Sequence, residues 1–183
     1  MNTTKEKKRI GQGSFSTVYE ETKNTVLIVS CDPVKECMAM GWFPDSLLFP
    51  KIERVDFDDT RSIYRMKRFD RPNSLKSSLK AKHWKLYKIL RDHFGSTYAP
   101  SKLKDSIDAL RDHFQTVLKG KEFAREKKIL LEAVDALASY GTDMWFEISP
   151  RNVAVSNGRL ILLDCFFMRE KLLEVRKTKR LTF

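Results

Sequence analysis

The sequence predicts an α+β fold in two lobes: an antiparallel five-stranded sheet first, then a reduced and mainly helical part. Three observations predict it. β-Branched and alternating apolar runs dominate up to residue 69; from Ser74 onward apolar residues recur at helical spacing; and between 153 and 164 two short apolar runs flank an Asn-Gly pair. The expected division is 1–70 for the sheet lobe and 71–183 for the helical lobe, with its hairpin and basic tail.

In chain order, residues 8–20 place Gly11 and Gly13 between a strand entry at Ile10 and a β-run through Val18 and Tyr19. Glycine tolerates positive φ and lets backbone N–H groups approach a phosphate with no Cβ in the way, so such a loop can lie over a triphosphate. Residues 24–31 form a continuous apolar, β-branched strand, expected to be buried. A short helix is expected over 35–45, closed by Pro44. Two alternating runs, 49–57 and 62–69, flank an Asp58-Asp59-Thr60 turn and complete the sheet, and Asp70-Arg71-Pro72 reads as a hinge. Three helices then follow. Leu75, Leu79, Leu86, Leu90 and Phe94 mark the first, stopped by Gly95; an N-cap at Ser101 opens the second, which runs to Gly120; the third spans Lys121 to Tyr140. A terminal amphipathic helix is expected within 170–179.

The stretch from Trp145 to Asp164 carries the chemistry. Asn157-Gly158 is a strong hairpin signal, because both residues of a type I′ turn need positive φ. Asn152 enters the first strand and Asp164 leaves the second, so the hairpin sets an amide oxygen beside a carboxylate, hard-oxygen ligation suited to a phosphate-bearing Mg²⁺. Pro150 stiffens the connection from Glu147 to Asn152.

These residues resemble the protein-kinase family. Glu147 to Asn152 has the spacing of the catalytic loop H-R-D-L-x-x-x-N, Asp164 falls at the aspartate of D-F-G, and Gly11, Gly13, Phe15 and Val18 resemble the Gly-rich loop. The string looks most like the small early-gene serine/threonine kinases of enterobacterial phages. The resemblance implies that Gly11, Gly13, Ser14, Ser16 and Val18 contact nucleotide, that Asn152 and Asp164 hold Mg²⁺, and that Glu147 accepts the substrate hydroxyl proton. It implies ATP and Mg²⁺ as cofactors if the chemistry survives, and none if it does not.

Four departures point instead to a degenerate site. Positions 24–34 contain no lysine to serve as the strand lysine of the family. Lys35 and Glu36 are not expected to replace it, since a helix opening after Asp32-Pro33 has no reason to aim its first turn at the cleft. Glu147 carries one methylene more than the family's base aspartate. Asp164-Cys165-Phe166 replaces D-F-G, and no room remains for a peptide-docking platform. The primary expectation is therefore a pseudokinase-type phage effector that binds host protein. The alternatives are an active ATP-dependent serine/threonine kinase modifying host transcription or translation proteins, with Lys35 or another cation in place of the lost lysine, and a basic nucleic-acid or polymerase-binding inhibitor.

Composition bounds these readings. The chain has 183 residues, 42% of them apolar, and a formal charge of +11, which favours acidic partners. Ten Lys/Arg against Asp70 alone fall between Arg65 and Arg91, a run read first as a solvated face. The three cysteines show no C-x-x-C or zinc spacing and read as reduced thiols. No apolar run is long enough for a membrane span, so the expected location is the cytoplasm. Leu-Arg-Asp-His-Phe occurs at 90–94 and again at 110–114, at helix ends among apolar anchors rather than as a metal site.

Overall fold

The computed structural model describes residues 7–57, 60–69, 72–94, 106–141 and 143–180. Asp58 and Asp59 of the expected turn, Asp70 and Arg71 of the expected hinge, the Gly95 stop and the Ser101 cap lie outside these residues. The fold is mixed α/β. Strands β1 (Arg9–Gln12), β2 (Ser16–Glu20), β3 (Thr25–Ser30), β4 (Ile52–Phe57) and β5 (Ser62–Lys67) form one antiparallel sheet in the order β1-β2-β3-β5-β4. Thr25 to Ser30 is the central strand, with Val26, Leu27 and Ile28 buried, as its unbroken apolar run requires.

Helix α1 (Pro33–Ala39) is shorter than expected and starts earlier. Asp32 caps it, its carboxylate accepting from the Val34 N–H, and Pro33 supplies the first-turn φ. The helix stops at Met40, and Gly41 turns the chain away with φ 75°. The helical stretch from Ser74 is two helices, α2 (Leu75–Ser78) and α3 (Ala81–Phe94). They break at Leu79, an extended residue whose side chain is buried. Helices α4 (Ser106–Val117) and α5 (Ala124–Ala138) follow. Leu86, Leu90, Leu110, Phe114, Leu130, Val134 and Leu137 bury completely or nearly so, which is the apolar stripe the periodicity marks.

Strand β6 (Met144–Phe146) pairs with β9 (Phe166–Met168), and β7 (Val153–Ser156) pairs with β8 (Arg159–Leu162) through the Asn157-Gly158 turn, both residues at positive φ. Helix α6 (Arg169–Arg180) closes the described chain. No helix of the described residues is long and apolar enough to cross a membrane.

The main core joins more than the helices. Val34 and Cys37 of α1, and Phe43, Leu48 and Phe49 beyond it, pack into one cluster with α3, α4, α5, the β7–β8 hairpin and Phe166. A hydrogen bond from the Leu162 N–H to the Leu48 carbonyl, 2.8 Å, ties that segment to the hairpin. The sheet's own cluster is small: Val26, Ile28 and Tyr64.

Much of the basic run is neutralised by partners distant in sequence. Arg65 pairs with Glu21, Arg68 with Glu20, Lys82 with Glu126 and Lys85 with Glu122. Tyr87 and Phe94 are buried, so the aromatic residues among the lysines belong to the core. The described residues contain no group of three or more His, Cys, Asp or Glu fit to hold a metal, and all three cysteines are free thiols. The repeated Asp-His pairs do not converge on such a site, although the His93 and His113 rings lie 6.2 Å apart.

Candidate active site

The hairpin places its two polar ends as the turn requires. Strand pairing from Ser156↔Arg159 to Val153↔Leu162 leaves Asn152 opposite the residues after β8. The Asn152 carbonyl accepts from the N–H groups of Leu163 at 2.9 Å and Asp164 at 3.3 Å, and from the Cys165 thiol at 3.4 Å. One backbone oxygen thus fixes the whole Asp164-Cys165 corner.

Glu147 is positioned from the other sheet. The β6–β9 register Phe146↔Phe166 continues into a 2.7 Å bond from the Glu147 N–H to the Cys165 carbonyl. Arg91 of α3 donates to the Ile148 carbonyl, and the Asn152 N–H closes the loop onto the Ser149 carbonyl at 3.0 Å. Glu147, Asn152 and Asp164 therefore share one wall of a cleft. Burial first, and the Asp164 charge second, push the Glu147 carboxyl above its ordinary value, while a side-chain hydrogen bond from Asn152 opposes them.

Lys35 corrects the expectation that it faces away. Its ammonium lies 2.7 Å from Asp164 Oδ1 and 3.2 Å from Asp32 Oδ2, with only 6% of the side chain exposed. The physical reason is the cap. Ser30 Oγ accepts from the Asp32 N–H, and the Asp32 side chain is fully buried, so the first turn of α1 is rotated into the cleft rather than left to solvent. Lys35 is three residues from the cap, where its side chain returns over the capping carboxylate. Burial works against the charge on Lys35, but Asp164 and then Asp32 outweigh it and hold the ammonium above its ordinary range. Burial, opposed by Lys35 and reinforced by Asp164, raises the Asp32 carboxyl. The neighbouring Glu36 is bound elsewhere, accepting from Arg54 Nη1 and from the Tyr64 hydroxyl at 2.8 Å. An Asp-Pro pair with lysine at the third helical position was the available signal, since it brings a cation back over a capping carboxylate.

The glycine loop covers the opposite side. The Gly13 N–H bonds the Ser16 carbonyl at 2.8 Å, and Gly11, Gly13, Ser14, Ser16 and Val18 all line the cleft. Neither glycine has positive φ, so what they contribute is room rather than an unusual backbone. Ser16 Oγ is engaged with Ser30 Oγ at 2.7 Å, which ties the loop to the strand that delivers Asp32. Val18, Val26, Ile28 and Met66 supply an apolar surface, and Ala154 and Leu163 face it from the hairpin side. Two residues with no sequence signal, Leu172 and Arg176 of α6, line the same cleft of about 600 Å³.

The residues present fit a phosphate-bearing Mg²⁺. Asp164 is 42% exposed and its Oδ2 has no hydrogen-bond partner among the described residues, while Asn152 lines the same cleft with a side-chain amide. One carboxylate, one amide and substrate phosphates form a donor set that suits this ion.

Together these features define a mixed α/β protein with a five-stranded antiparallel sheet and a polar-walled cleft between sheet and hairpin. The chain matches no family model and no curated protein. Among solved structures it is similar to "Putative fructosamine-3-kinase" from Haemophilus somnus 129PT, at 10% identity and a TM-score of 0.40, over 91% of this chain and 68% of that one.

Proposed function

We propose that this chain is an ATP-dependent phosphotransferase of kinase-like fold, in which Lys35 supplies the cation that β3 lacks. The observation that carries the reading is the 2.7 Å contact between Lys35 Nζ and Asp164 Oδ1, beneath the glycine loop and on the wall shared with Glu147 and Asn152. A degenerate site was expected on four departures from the kinase pattern, and a buried lysine beside Asp164 supports removing the first. The second and third also weigh less here. Glu147 is fixed by the bond from its N–H to the Cys165 carbonyl and by Arg91 on the adjacent Ile148 carbonyl, and Phe166 is a paired strand residue, so the corner after Asp164 is held as preorganised charge stabilisation requires.

In the proposed reaction an acceptor hydroxyl oxygen bonds the γ-phosphorus of ATP while the bond from that phosphorus to the β–γ bridging oxygen breaks. ADP leaves with the bond's electron pair, and the hydroxyl proton passes to Glu147. Asp164 and Asn152 would hold Mg²⁺, which neutralises phosphate charge when bound. Lys35 orients Asp164 and offers its ammonium to the phosphates.

Thermal unfolding with and without millimolar ATP and Mg²⁺ tests nucleotide binding. The midpoint is expected to rise, by the equivalent of about 2.7 kcal/mol at ligand a hundred times its dissociation constant, and Asp164→Ala is expected to abolish the rise. No shift at millimolar ATP would remove the basis of the proposal.

The pH dependence of turnover tests the base. Glu147 must be ionised to accept a proton, and its carboxyl is raised above the ordinary 4.5, so activity is expected to fall on acidification through a pH above that figure. Glu147→Gln is expected to lose most of the rate and that acid limb with it. A limb unchanged in the variant assigns the base elsewhere.

A second reading, a nucleotide-binding effector without transfer, is favoured by the side-chain hydrogen bond that Asn152 donates to Glu147, which engages the base while leaving the amide oxygen free for metal. A Mg-ATP shift with no ADP formed would select it. A nucleic-acid role for the 65–91 surface has less support, because Arg65, Arg68, Lys82 and Lys85 are in ion pairs. So has a role on host proteins, because α6 borders the cleft a substrate segment would enter.

A further inference from the structure

Most arginines of this protein have a partner. Arg54, Arg65, Arg68 and Arg111 are in ion pairs, Arg91 bonds the Ile148 carbonyl, and Arg169 lies over the Trp145 ring. Arg151 and Arg176 also line the cleft, yet neither is in an ion pair or a hydrogen bond among the described residues. They reach the cleft from separate elements, the loop before the hairpin and helix α6, so their convergence there is not a helix face repeating itself.

Two exposed guanidinium groups lining one cleft, neither held in an ion pair, draw an anion, and the planar guanidinium matches a carboxylate or phosphate in a fork of hydrogen bonds. Arg151 is on the base side, close enough to Glu147 to lower its carboxyl pKa against the effect of burial. Lys35 is 6% exposed and engaged with Asp164. The nucleotide phosphates belong with Lys35 and the glycine loop, which leaves the arginines to whatever faces Glu147. Leu172 and Arg176 line the same cleft, whose volume of about 600 Å³ suits small molecules.

The geometry points to an anion subsite formed by Arg151 and Arg176 that binds the carboxylate or phosphate of a small hydroxyl-bearing acceptor. It rests on the phosphotransfer reading in giving the nucleotide phosphates to Lys35 and in calling that molecule the acceptor.

Calorimetric titration of the full chain with D-glycerate, glycerol 3-phosphate and glycerol tests it. At least one of the two anions is expected to bind where glycerol does not, and the tighter of them identifies a carboxylate or a phosphate as the preferred group. Arg151→Gln and Arg176→Gln are each expected to weaken that binding about ten-fold or more, and saturating ATP with Mg²⁺ is expected to leave it in place. Failure of both anions to bind, binding unchanged in both variants, or displacement by Mg-ATP overturns the subsite; in the last case the arginines serve the nucleotide. Anion binding that depends on the arginines in a protein that binds no Mg-ATP keeps the subsite and ends the phosphotransfer reading.

Discussion

Lys35→Met is expected to destabilise the protein by about 3–5 kcal/mol at neutral pH and to abolish ATP turnover. The stability loss comes from Asp32 more than from Asp164. Asp32 is fully buried, and Lys35 is the cation that contacts it, whereas Asp164 is 42% exposed and can be rehydrated. Removing one partner of a buried pair strands the other charge without its compensation, which is why the cost exceeds the net worth of the pair. The sign of the pH dependence follows. The Asp32 carboxyl is already raised above its ordinary 3.8, and Lys35 is the cation opposing that rise, so the variant raises it further. A raised carboxyl binds its proton more tightly in the folded state, so its contribution to stability is greatest below the unfolded value and is lost as pH rises through the folded one. The deficit of Lys35→Met against the native protein should therefore shrink as pH is lowered towards 4. Denaturant melts at several pH values read this directly. The double variant Lys35→Met with Asp32→Asn removes the stranded charge and is expected to recover much of the stability while remaining inactive. Turnover in the double variant would show that Lys35 serves the fold alone.

Phe166→Ala should cost about 3–5 kcal/mol, the range for emptying a ring from a packed core. Phe166 is 2% exposed, with its ring 4.9 Å from that of Phe146 and between 6.2 and 6.3 Å from those of Phe43, Phe49 and Phe114. Edge-to-face and tilted contacts on several sides leave little for the surroundings to collapse into. The site is expected to suffer as well, because Phe166 pairs with Phe146 and this pairing sets the Glu147 to Cys165 bond one residue further on. Phe167→Ala is the comparison. Its ring is also buried, at 8% exposure, but it lines the cleft, meets Trp145 at 5.9 Å and lies outside the main core cluster, so the unfolding cost should be smaller. Equal urea midpoints for the two variants would contradict that difference in packing.

What the sequence made legible follows from the range of the forces involved. The Asn157-Gly158 hairpin, the glycine loop and the five strands are local decisions, made by turn chemistry and by runs a few residues long. The pairing of Asn152 with Asp164 followed from the hairpin alone. Lys35 was missed because its direction depends on the rotation of α1, and that rotation is set by Ser30 and by the burial of Asp32, which no periodicity over seven residues reveals. The ion pairs of the basic run were hidden for the same reason. Glu20 and Glu21 precede their arginines by more than 40 positions, and only the sheet order β2-β3-β5 makes them near neighbours. The break at Leu79 was invisible because a buried leucine at that spacing satisfies helix and kink alike. Helix α6 was expected as an amphipathic element, but its apolar Leu172 and its Arg176 were not assigned to the cleft.

The segment carrying Phe43, Leu48 and Phe49 has a mechanical consequence. Its rings are buried against Phe166 and its Leu48 carbonyl is bonded to the hairpin, so the α1–β4 end of the sheet is bolted to the helical body. Any gaping of the cleft must then swing about that bolt, as a door does on its jamb. In the sheet order β1-β2-β3-β5-β4 the β1–β2 tip carrying Gly13 lies at the edge farthest from β4, so it has the longest lever arm about that bolt. Asp164 and Lys35 sit beside the jamb, so their 2.7 Å ion pair would keep its spacing if the glycine loop moved.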